Sequence, residues 1–342
     1  MKWYYNKGHE GEIVISTRVR FARNLADYPF PGKMTAEQQR ELIDKVSAVF
    51  AASECGADFR LVRMEDVSQA ARRALVEKHI ISPELENGEN ARAVLLSSDE
   101  SVSIMINEED HLRIQVMGTG LCYEEALRRA EEIDDIFAAS LKVAFDENLG
   151  YLTKCPTNLG TGIRASVMLH LPALTESGAI RRIAASVGKL GFAVRGEYGE
   201  GSTARGALYQ ISNQMTLGFS EEQIVTRLGE VAGEIIEREK QARAAALKAS
   251  VIAVEDRVWR AAGTLKHARS VSADEAMRLL GDIRIGGSLG ILDYTPDKLN
   301  GIMWEMQPAN LMLITNSENL TPQQRDAKRA DLLRDRLKDI RI

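Results

Sequence analysis

The nine residues Lys154-Cys155-Pro156-Thr157-Asn158-Leu159-Gly160-Thr161-Gly162 place a thiol in a segment that cannot be a helix interior. Proline removes a backbone donor, and glycine admits backbone angles that other residues avoid. The run Tyr151-Leu152-Thr153 precedes the segment, and residues 164–171 read as a strand after it. Cys155 is therefore expected in a tight loop at a strand end, where rigid scaffolds carry chemistry. A lone cysteine is more often a small buried hydrophobe, so its company decides. A second stretch, Asn107-Glu108-Glu109-Asp110-His111-Leu112-Arg113, sets three consecutive carboxylates between two strand-like runs, 102–106 and 114–117. Like charges so crowded repel, and an exposed turn is their ordinary home. The functional alternative is that one of them turns inward as a base, with Arg113 held on the returning strand. Residues 12–24 alternate as a strand, so Arg18 and Arg20 project together with Ser16 beside them. Two planar guanidinium forks on a rigid strand suit a phosphate clamp; a solvated edge strand is the competing reading. Residues 192–195 run into a glycine-rich loop, Gly196-Glu197-Tyr198-Gly199-Glu200-Gly201-Ser202, which adds Glu197 and Glu200.

The elements that must position these groups follow from caps and periodicity. Thr35 with Gln38 forms a capping-box pattern opening a helix over 35–52. A second helix is predicted over 68–79, with His79 near its end, where a histidine is more often structural. Leu127, Ala130, Ile133, Phe137, Leu141 and Ala144 make an apolar stripe that predicts a helix over 123–145. Another helix is predicted over 176–190, and a strand over 207–212. From Ser220 the character changes. Ser220 with Gln223 caps a long helix, and further helices are predicted over 251–262, from Ser272 with Glu275, from Thr295-Pro296 and from Thr321-Pro322. No strand is predicted beyond Ser212. The chain thus divides into an α+β domain over 1–240 and a helical domain over 241–342.

Composition bounds the function. With 342 residues, 44% hydrophobic and 27% charged, the chain can bury a substantial core. Its net charge of -5 gives no reason to expect nucleic acid or an acidic membrane as partner. The start Met1-Lys2-Trp3-Tyr4-Tyr5 lacks the apolar core of a signal peptide, and no apolar run reaches spanning length. Cys55, Cys122 and Cys155 are far apart, odd in number and without zinc spacing, which fits free thiols in a reducing cytoplasm. No metal site is expected.

Five arginines on different β segments, Arg18, Arg20, Arg113, Arg164 and Arg195, can converge on a triphosphate without a GxxxxGK[ST] loop, which is absent here. Clamping phosphates is most of the protein's task in phosphoryl transfer. Paired carboxylates then suggest a planar, cationic acceptor. The stretches Ser16-Thr17-Arg18-Val19-Arg20, Asn107 to Arg113, Cys155 to Thr161, Arg164-Ala165-Ser166-Val167 and Ile211-Ser212-Asn213 closely resemble the phosphagen (guanidino) kinase family over about residues 10 to 235. The closer resemblance within it is to bacterial protein arginine kinases. Small-molecule members carry a helical domain before the catalytic one, whereas here the first arginine strand begins near the N-terminus and the helices come after. Those kinases also share an Arg-Asp-x-x-Arg-Ala motif, present as Arg325-Asp326-Ala327-Lys328-Arg329-Ala330.

The resemblance implies a twisted, largely antiparallel sheet flanked by helices, with a C-terminal helical domain. It implies nucleotide contacts at Ser16, Thr17, Arg18, Val19, Arg20, His79, Arg113, Arg164, Ala165, Ser166, Val167, Met168, Arg195, Gly196, Glu197, Tyr198 and Gly199. Glu109 is implied as catalytic base, Glu200 as its partner in holding the guanidinium, and Cys155 as the thiol beside the acceptor. A phosphoarginine site is implied at Arg325, Asp326, Arg329 and Ala330. ATP with magnesium is the implied co-substrate. The implied partners are protein substrates, a heat-shock repressor, a zinc-binding activator and the Clp unfoldase-protease, with a homo-oligomeric assembly. A kinase for free arginine and a non-catalytic reader of phosphoarginine remain the alternatives.

Overall fold

The computed structural model describes residues 1–196, 204–317 and 319–340. In chain order the elements are β1 (Val14–Arg23), α1 (Ala36–Ala51), β2 (Phe59–Arg63), α2 (Gln69–Glu77), α3 (Pro83–Asn87), β3 (Ala93–Ser97), β4 (Val102–Ile106), β5 (Leu112–Thr119) and α4 (Tyr123–Ser140). Then come the ribbon strands β6 (Phe145–Asp146) and β7 (Gly150–Tyr151), β8 (Ile163–His170), α5 (Pro172–Glu176), α6 (Ile180–Lys189), β9 (Phe192–Gly196) and β10 (Leu208–Asn213). Helices complete the chain: α7 (Glu221–Ala249), α8 (Val251–His267), α9 (Ala273–Ser288), α10 (Pro296–Glu305), α11 (Pro308–Ile314) and α12 (Pro322–Arg336).

The fold is α+β. Eight strands form one sheet in the order β2-β3-β4-β5-β1-β8-β10-β9, and each neighbouring pair is antiparallel. β1 is therefore central, not the solvated edge strand that was its competing reading. One face of the sheet is largely apolar. Val19, Phe21, Ile114, Val116, Ala165, Val167 and Ile211 pack there with Leu42 and Val46 of α1, Ile133 and Phe137 of α4, and Leu228 and Ile235 of α7. The opposite face is covered in three places, one of them over Met117 of β5, where Trp3, Tyr4 and Trp304 pack. Beside β3 and β4, Val94, Leu96 and Met105 meet Met64, Val76, Ile80 and Leu85 from α2, α3 and their flanks. At the other end Ile15, Met168 and Leu208 meet the C-terminal helices through residues such as Val258, Leu280 and Met303. The stretch between is open and polar, and the site lies there.

The capping reasoning holds at α1, α7 and α12, where Thr35/Gln38, Ser220/Gln223 and Thr321/Gln324 form reciprocal boxes. Three helices differ from expectation, α8 by running on to His267 instead of ending at 262. The stripe helix ends at Ser140 rather than 145, because residues 142–144 pair their backbone with residues 24–26 instead. The helix expected over 176–190 starts only at Ile180 as α6, because Gly178, whose φ of +68° suits glycine, separates it from the short α5, which was not expected. The short elements β2, α3 and α11 carry too few periodic positions to be legible. The expected division at 240/241 falls within the unbroken α7. Among the described residues, no helix is long and apolar enough to cross a membrane.

Candidate active site

Strand register builds the site. Arg20 lies opposite Gln115 of β5 and Arg164 of β8, and Arg18 lies opposite Met117 and Ser166. Across β8, Ser166 faces Ser212 and Met168 faces Gln210, and Gln210 in turn faces Arg195 of β9. Since partners across a ladder share a face, Arg18, Arg20, Arg113, Arg164 and Arg195 all stand on the open side. Arg18 donates to Gln210 Oε1 at 2.9 Å and to Ser166 Oγ at 3.4 Å. Arg164 donates to the Asn213 carbonyl at 2.7 Å and to Asn158 Oδ1 at 3.4 Å. Arg20 Nε is buried without a hydrogen-bond partner. Burial, and then mutual repulsion, weakens the hold on their protons. Arg18 is pushed down to about 10, Arg20 well below its ordinary value, and Arg164 is lowered too. Crowded, desolvated cations of this kind are the complement of a polyphosphate.

Alternation also decides which implied nucleotide contacts face the other way. Thr17, Val19, Ala165 and Val167 have no exposed surface and pack on the apolar side, so a nucleotide on the open face meets none of their side chains. Ser16, Ser166 and Met168 are buried at the floor of the open side. His79 follows α2 with a φ of +57°; its ring stands edge-on to Trp304 at 5.1 Å, and its carbonyl accepts from Gln115 Nε2 at 2.8 Å. Gly196 ends β9, buried. Glu197, Tyr198, Gly199 and Glu200 lie outside the described residues.

The three adjacent carboxylates have three environments, a division the sequence did not reveal. The Glu108 side chain is only 1% exposed and forms an ion pair with Arg113. Burial alone would raise its pKa, yet Arg113 holds it below the usual carboxylate value; the same pair raises Arg113 against the effect of burial. Asp110 is buried and accepts from Asn24 Nδ2 and from the Lys154 backbone N–H, each at 2.7 Å, so it ties the hairpin to the cysteine loop. Glu109 between them is half-buried and faces the cavity. Burial, then Asp110 and Glu108, raise its pKa, opposed by Arg113 and Lys154. The exposed turn that was the alternative for this cluster is not what forms.

The cysteine loop is held from below. Thr216 Oγ1 donates to the Leu159 carbonyl at 2.6 Å and to that of Thr157 at 3.1 Å. A side chain on Gly160, at φ +103°, would meet the Thr216 carbonyl at 2.4 Å. Cys155 Sγ rests 3.0 Å from Thr157 Oγ1. Glu109, Cys155, Arg20, Arg113, Arg164 and Arg195 then line one open cavity of about 230 Å³, together with Gln210 and Ser212. The last two were missed in the sequence, although the alternation of residues 207–212 would have pointed to them.

The C-terminal motif is divided. Arg329 is 2% exposed and spends its fork on the carbonyls of Met306 and Val271 and on Asp326, and Ala330 is fully buried. Only Arg325 opens on a cavity, a separate one of about 820 Å³ reached by Ser68, Met312 and Leu320. Arg329 thus uses Nε and Nη1 to hold the α12 helix in place.

A wall of desolvated guanidiniums beside a carboxylate of raised pKa and a thiol, on an antiparallel sheet, defines a phosphotransferase acting on a cationic acceptor. Residues 41–242 match the family described as "ATP:guanido phosphotransferase, C-terminal catalytic domain", and residues 251–341 match "Protein-arginine kinase McsB C-terminal domain". The protein-arginine kinase of Brevibacillus brevis is 48% identical over 339 residues, 98% of this chain and 95% of that one. That of Geobacillus stearothermophilus is 44% identical over 339 residues, 98% and 93% of the two chains. Among solved structures, the duplicated taurocyamine kinase from Schistosoma mansoni, with bound transition state analog components, matches with a TM-score of 0.60 and 29% identity, covering 67% of this chain and 33% of that one. Lombricine kinase, at 24% identity and a TM-score of 0.61 over 70% of this chain and 69% of that one, shares the fold. The chain belongs to the ATP:guanido phosphotransferase family, in its protein-arginine kinase branch. It is a kinase, and ATP is the phosphoryl donor of that family.

Proposed function

We propose that the enzyme transfers the γ-phosphoryl group of ATP to the guanidinium of arginine side chains in proteins. The observation that carries this reading is Glu109, a carboxylate of raised pKa in the same cavity as Cys155 and the arginine wall. The nucleotide's phosphates lie along Arg18, Arg20, Arg113, Arg164 and Arg195. The donors of that wall are guanidiniums, which hold phosphate and not a metal ion, so magnesium comes with the nucleotide and neutralises its charge. The acceptor guanidinium lies against Glu109, with Glu200 as a second carboxylate. A guanidinium is a poor nucleophile while fully protonated. Glu109 orients one nitrogen in line with the γ-phosphorus and takes its proton as the N–P bond forms and the bond to the β-phosphate oxygen breaks, releasing ADP. The positive charge of the acceptor favours the Cys155 thiolate beside it.

Support for a protein-borne acceptor comes from relatives named protein-arginine kinase that align over 98% of this chain. The resemblance further motivates a cytoplasmic homo-oligomer that works with a zinc-binding activator, controls a heat-shock repressor and marks proteins for the Clp unfoldase-protease. It also motivates a phosphoarginine site at Arg325. The test is to incubate the protein with Mg-ATP and either free arginine or a denatured protein at matched guanidinium concentration, and to map acid-labile phosphate. Faster turnover of the free amino acid would replace this reading with a metabolic kinase.

A further inference from the structure

Among the described residues, three arginines bury an Nε that has no hydrogen-bond partner: Arg20, Arg72 and Arg257. Arg257 lies against the carboxylates of Glu176 and Asp282, and Arg20 stands in the catalytic wall. Arg72 is neither case. It projects from α2 and donates through Nη1 to the Met64 carbonyl at 2.9 Å, but no carboxylate of the described residues pairs with it. It lines a polar cavity of about 280 Å³ that shares no lining residue with the catalytic one. Arg92, on the segment before β3, lines the same cavity and is 8% exposed. Its Nε donates to the Asn90 carbonyl at 3.0 Å and its Nη1 to the Leu85 carbonyl, which leaves Nη2 unspent. Burial, and then the charge of Arg72, lowers its pKa. Arg40 of α1 adds a third, exposed guanidinium. Glu65 and Glu89 also border the cavity, but both are exposed, and neither forms an ion pair with these arginines. Two desolvated, mutually repelling guanidiniums without a carboxylate are what a bound anion relieves.

The chemistry of the lining narrows the ligand. Guanidiniums from three separate elements suit a tetrahedral dianion, which has acceptor oxygens for each, better than a carboxylate with two. The cavity is smaller than the roughly 300–1,000 Å³ of sites for drug-sized molecules, so it takes a small group. We propose that Arg40, Arg72 and Arg92 form a second anion site, which binds a phosphoryl group, either as inorganic phosphate or on a phosphorylated side chain. Its place in the fold is behind the catalytic hairpin. Asn107, which opens that hairpin, donates through Nδ2 to the carbonyls of Gln39 and Ala91 at 2.9 Å each, and both of those residues line the cavity. The anion thus sits outside the catalytic cavity, against the segments from which the hairpin carrying Glu109 hangs.

Calorimetric titration of the full chain with inorganic phosphate tests this, with magnesium and a non-hydrolysable ATP analogue present to fill the catalytic wall. Wild type is compared with Arg40→Gln, Arg72→Gln, Arg72→Lys and Arg325→Ala. Arg40 is exposed, so Arg40→Gln reads the site even if Arg72→Gln fails to fold. The expected result is saturable binding that each glutamine variant weakens by about tenfold or more, the loss of a charged hydrogen bond. Arg72→Lys should weaken it nearly as much, because lysine keeps the charge and loses the fork. Arg325→Ala should bind as wild type does. A phosphoserine peptide and its unphosphorylated form, titrated in the same way, separate the sources. Binding of phosphate alone identifies the free ion, and binding of the phosphopeptide that Arg72→Gln weakens identifies the attached group. Absence of saturable binding of either probe overturns the proposal, as does equal affinity in wild type and the glutamine variants. Full recovery in Arg72→Lys would show diffuse charge attraction only, and a loss confined to Arg325→Ala would place the anion in the C-terminal cavity; either result overturns the site.

Discussion

Replacing Glu108 and Glu109 by glutamine, one at a time, should change stability in opposite directions, because adjacent positions have opposite electrostatics. Glu108→Gln removes the partner of Arg113 and leaves that guanidinium near Arg18, Arg20 and Arg164. Breaking a buried pair by deleting one member costs about 3–5 kcal/mol when both are fully buried. The Arg113 side chain keeps 24% of its surface, so screening brings the expectation down to about 2–3 kcal/mol. Its pH signature follows. Because the folded Glu108 pKa is depressed, the stability it gives is present above the ordinary value of 4.5 and is lost as pH falls through the folded value. Glu109 is the reverse case. Its pKa is raised in the folded state, so ionisation costs stability as pH rises from 4.5, and the cost is complete above the folded value. The amide removes it, and a small gain, under about 1 kcal/mol for a half-exposed group, is expected. Transfer should nonetheless fall by roughly 100- to 10,000-fold, since the amide cannot take the proton. Denaturant unfolding at pH 7, paired with single-turnover transfer from Mg-ATP to a denatured protein, reads both quantities. A Glu108→Gln protein as stable as wild type would refute the assignment of the pair, and a Glu109→Gln protein with most of its turnover would remove Glu109 from the mechanism.

Arg20→Gln should leave the free protein as stable or more so, because it removes a desolvated, repelled charge, and should shrink the thermal shift caused by Mg-ATP; an unchanged shift would detach Arg20 from the nucleotide. Cys155→Ser should fold normally and transfer poorly, since serine keeps the size and loses the readily ionised sulfur; full activity at saturating substrates would leave Cys155 a purely structural residue. Arg325→Ala and Arg329→Ala should separate: the first keeps the fold and loses affinity for a phosphoarginine peptide by calorimetry. The second leaves the carbonyls of Met306 and Val271 unpaired and costs roughly 2–4 kcal/mol in denaturant unfolding, and equal stability of the two variants would contradict this division.

Much of the site was legible because a strand exposes alternate residues. Residues 12–24 alone placed Arg18 and Arg20 together, and the two loops announced themselves by composition. Side-chain roles inside a contiguous run were not legible. Carrying Thr17, Val19, Ala165 and Val167 along with their neighbours ignored the period that had identified the strand. The three carboxylates could not be told apart, since their difference lies in partners that folding supplies: Arg113 across the hairpin, Asn24 just after β1 and the Lys154 backbone. Arg325 and Arg329 share a helical face by spacing, yet a tertiary environment takes one and leaves the other. The end of α4 was misplaced for the same reason, because residues 142–144 pair with residues 24–26 instead of continuing the helix.

Register therefore carries more of the function than any single residue. Arg18 and Arg20 are two apart, but Arg23 is three beyond Arg20 and faces the other way. There it is buried against Asp134 of α4, with Nε donating at 3.0 Å and Nη2 at 2.8 Å, and Tyr151 lies over its guanidinium. A slip of one residue between β1 and its neighbours would turn every side chain of the strand over. Arg18 and Arg20 would enter the layer now filled by Ile133, Phe137 and Leu228, while Val19 and Phe21 would stand in the open cavity. Arg23 would at the same time lose Asp134, and a buried charge left alone costs several kcal/mol. The ion pair on the apolar side and the apolar residues around it thus fix the register that lifts the other arginines into the cavity. The unfavourable crowding of those arginines is sustained by a core on the opposite face that fits only one alignment.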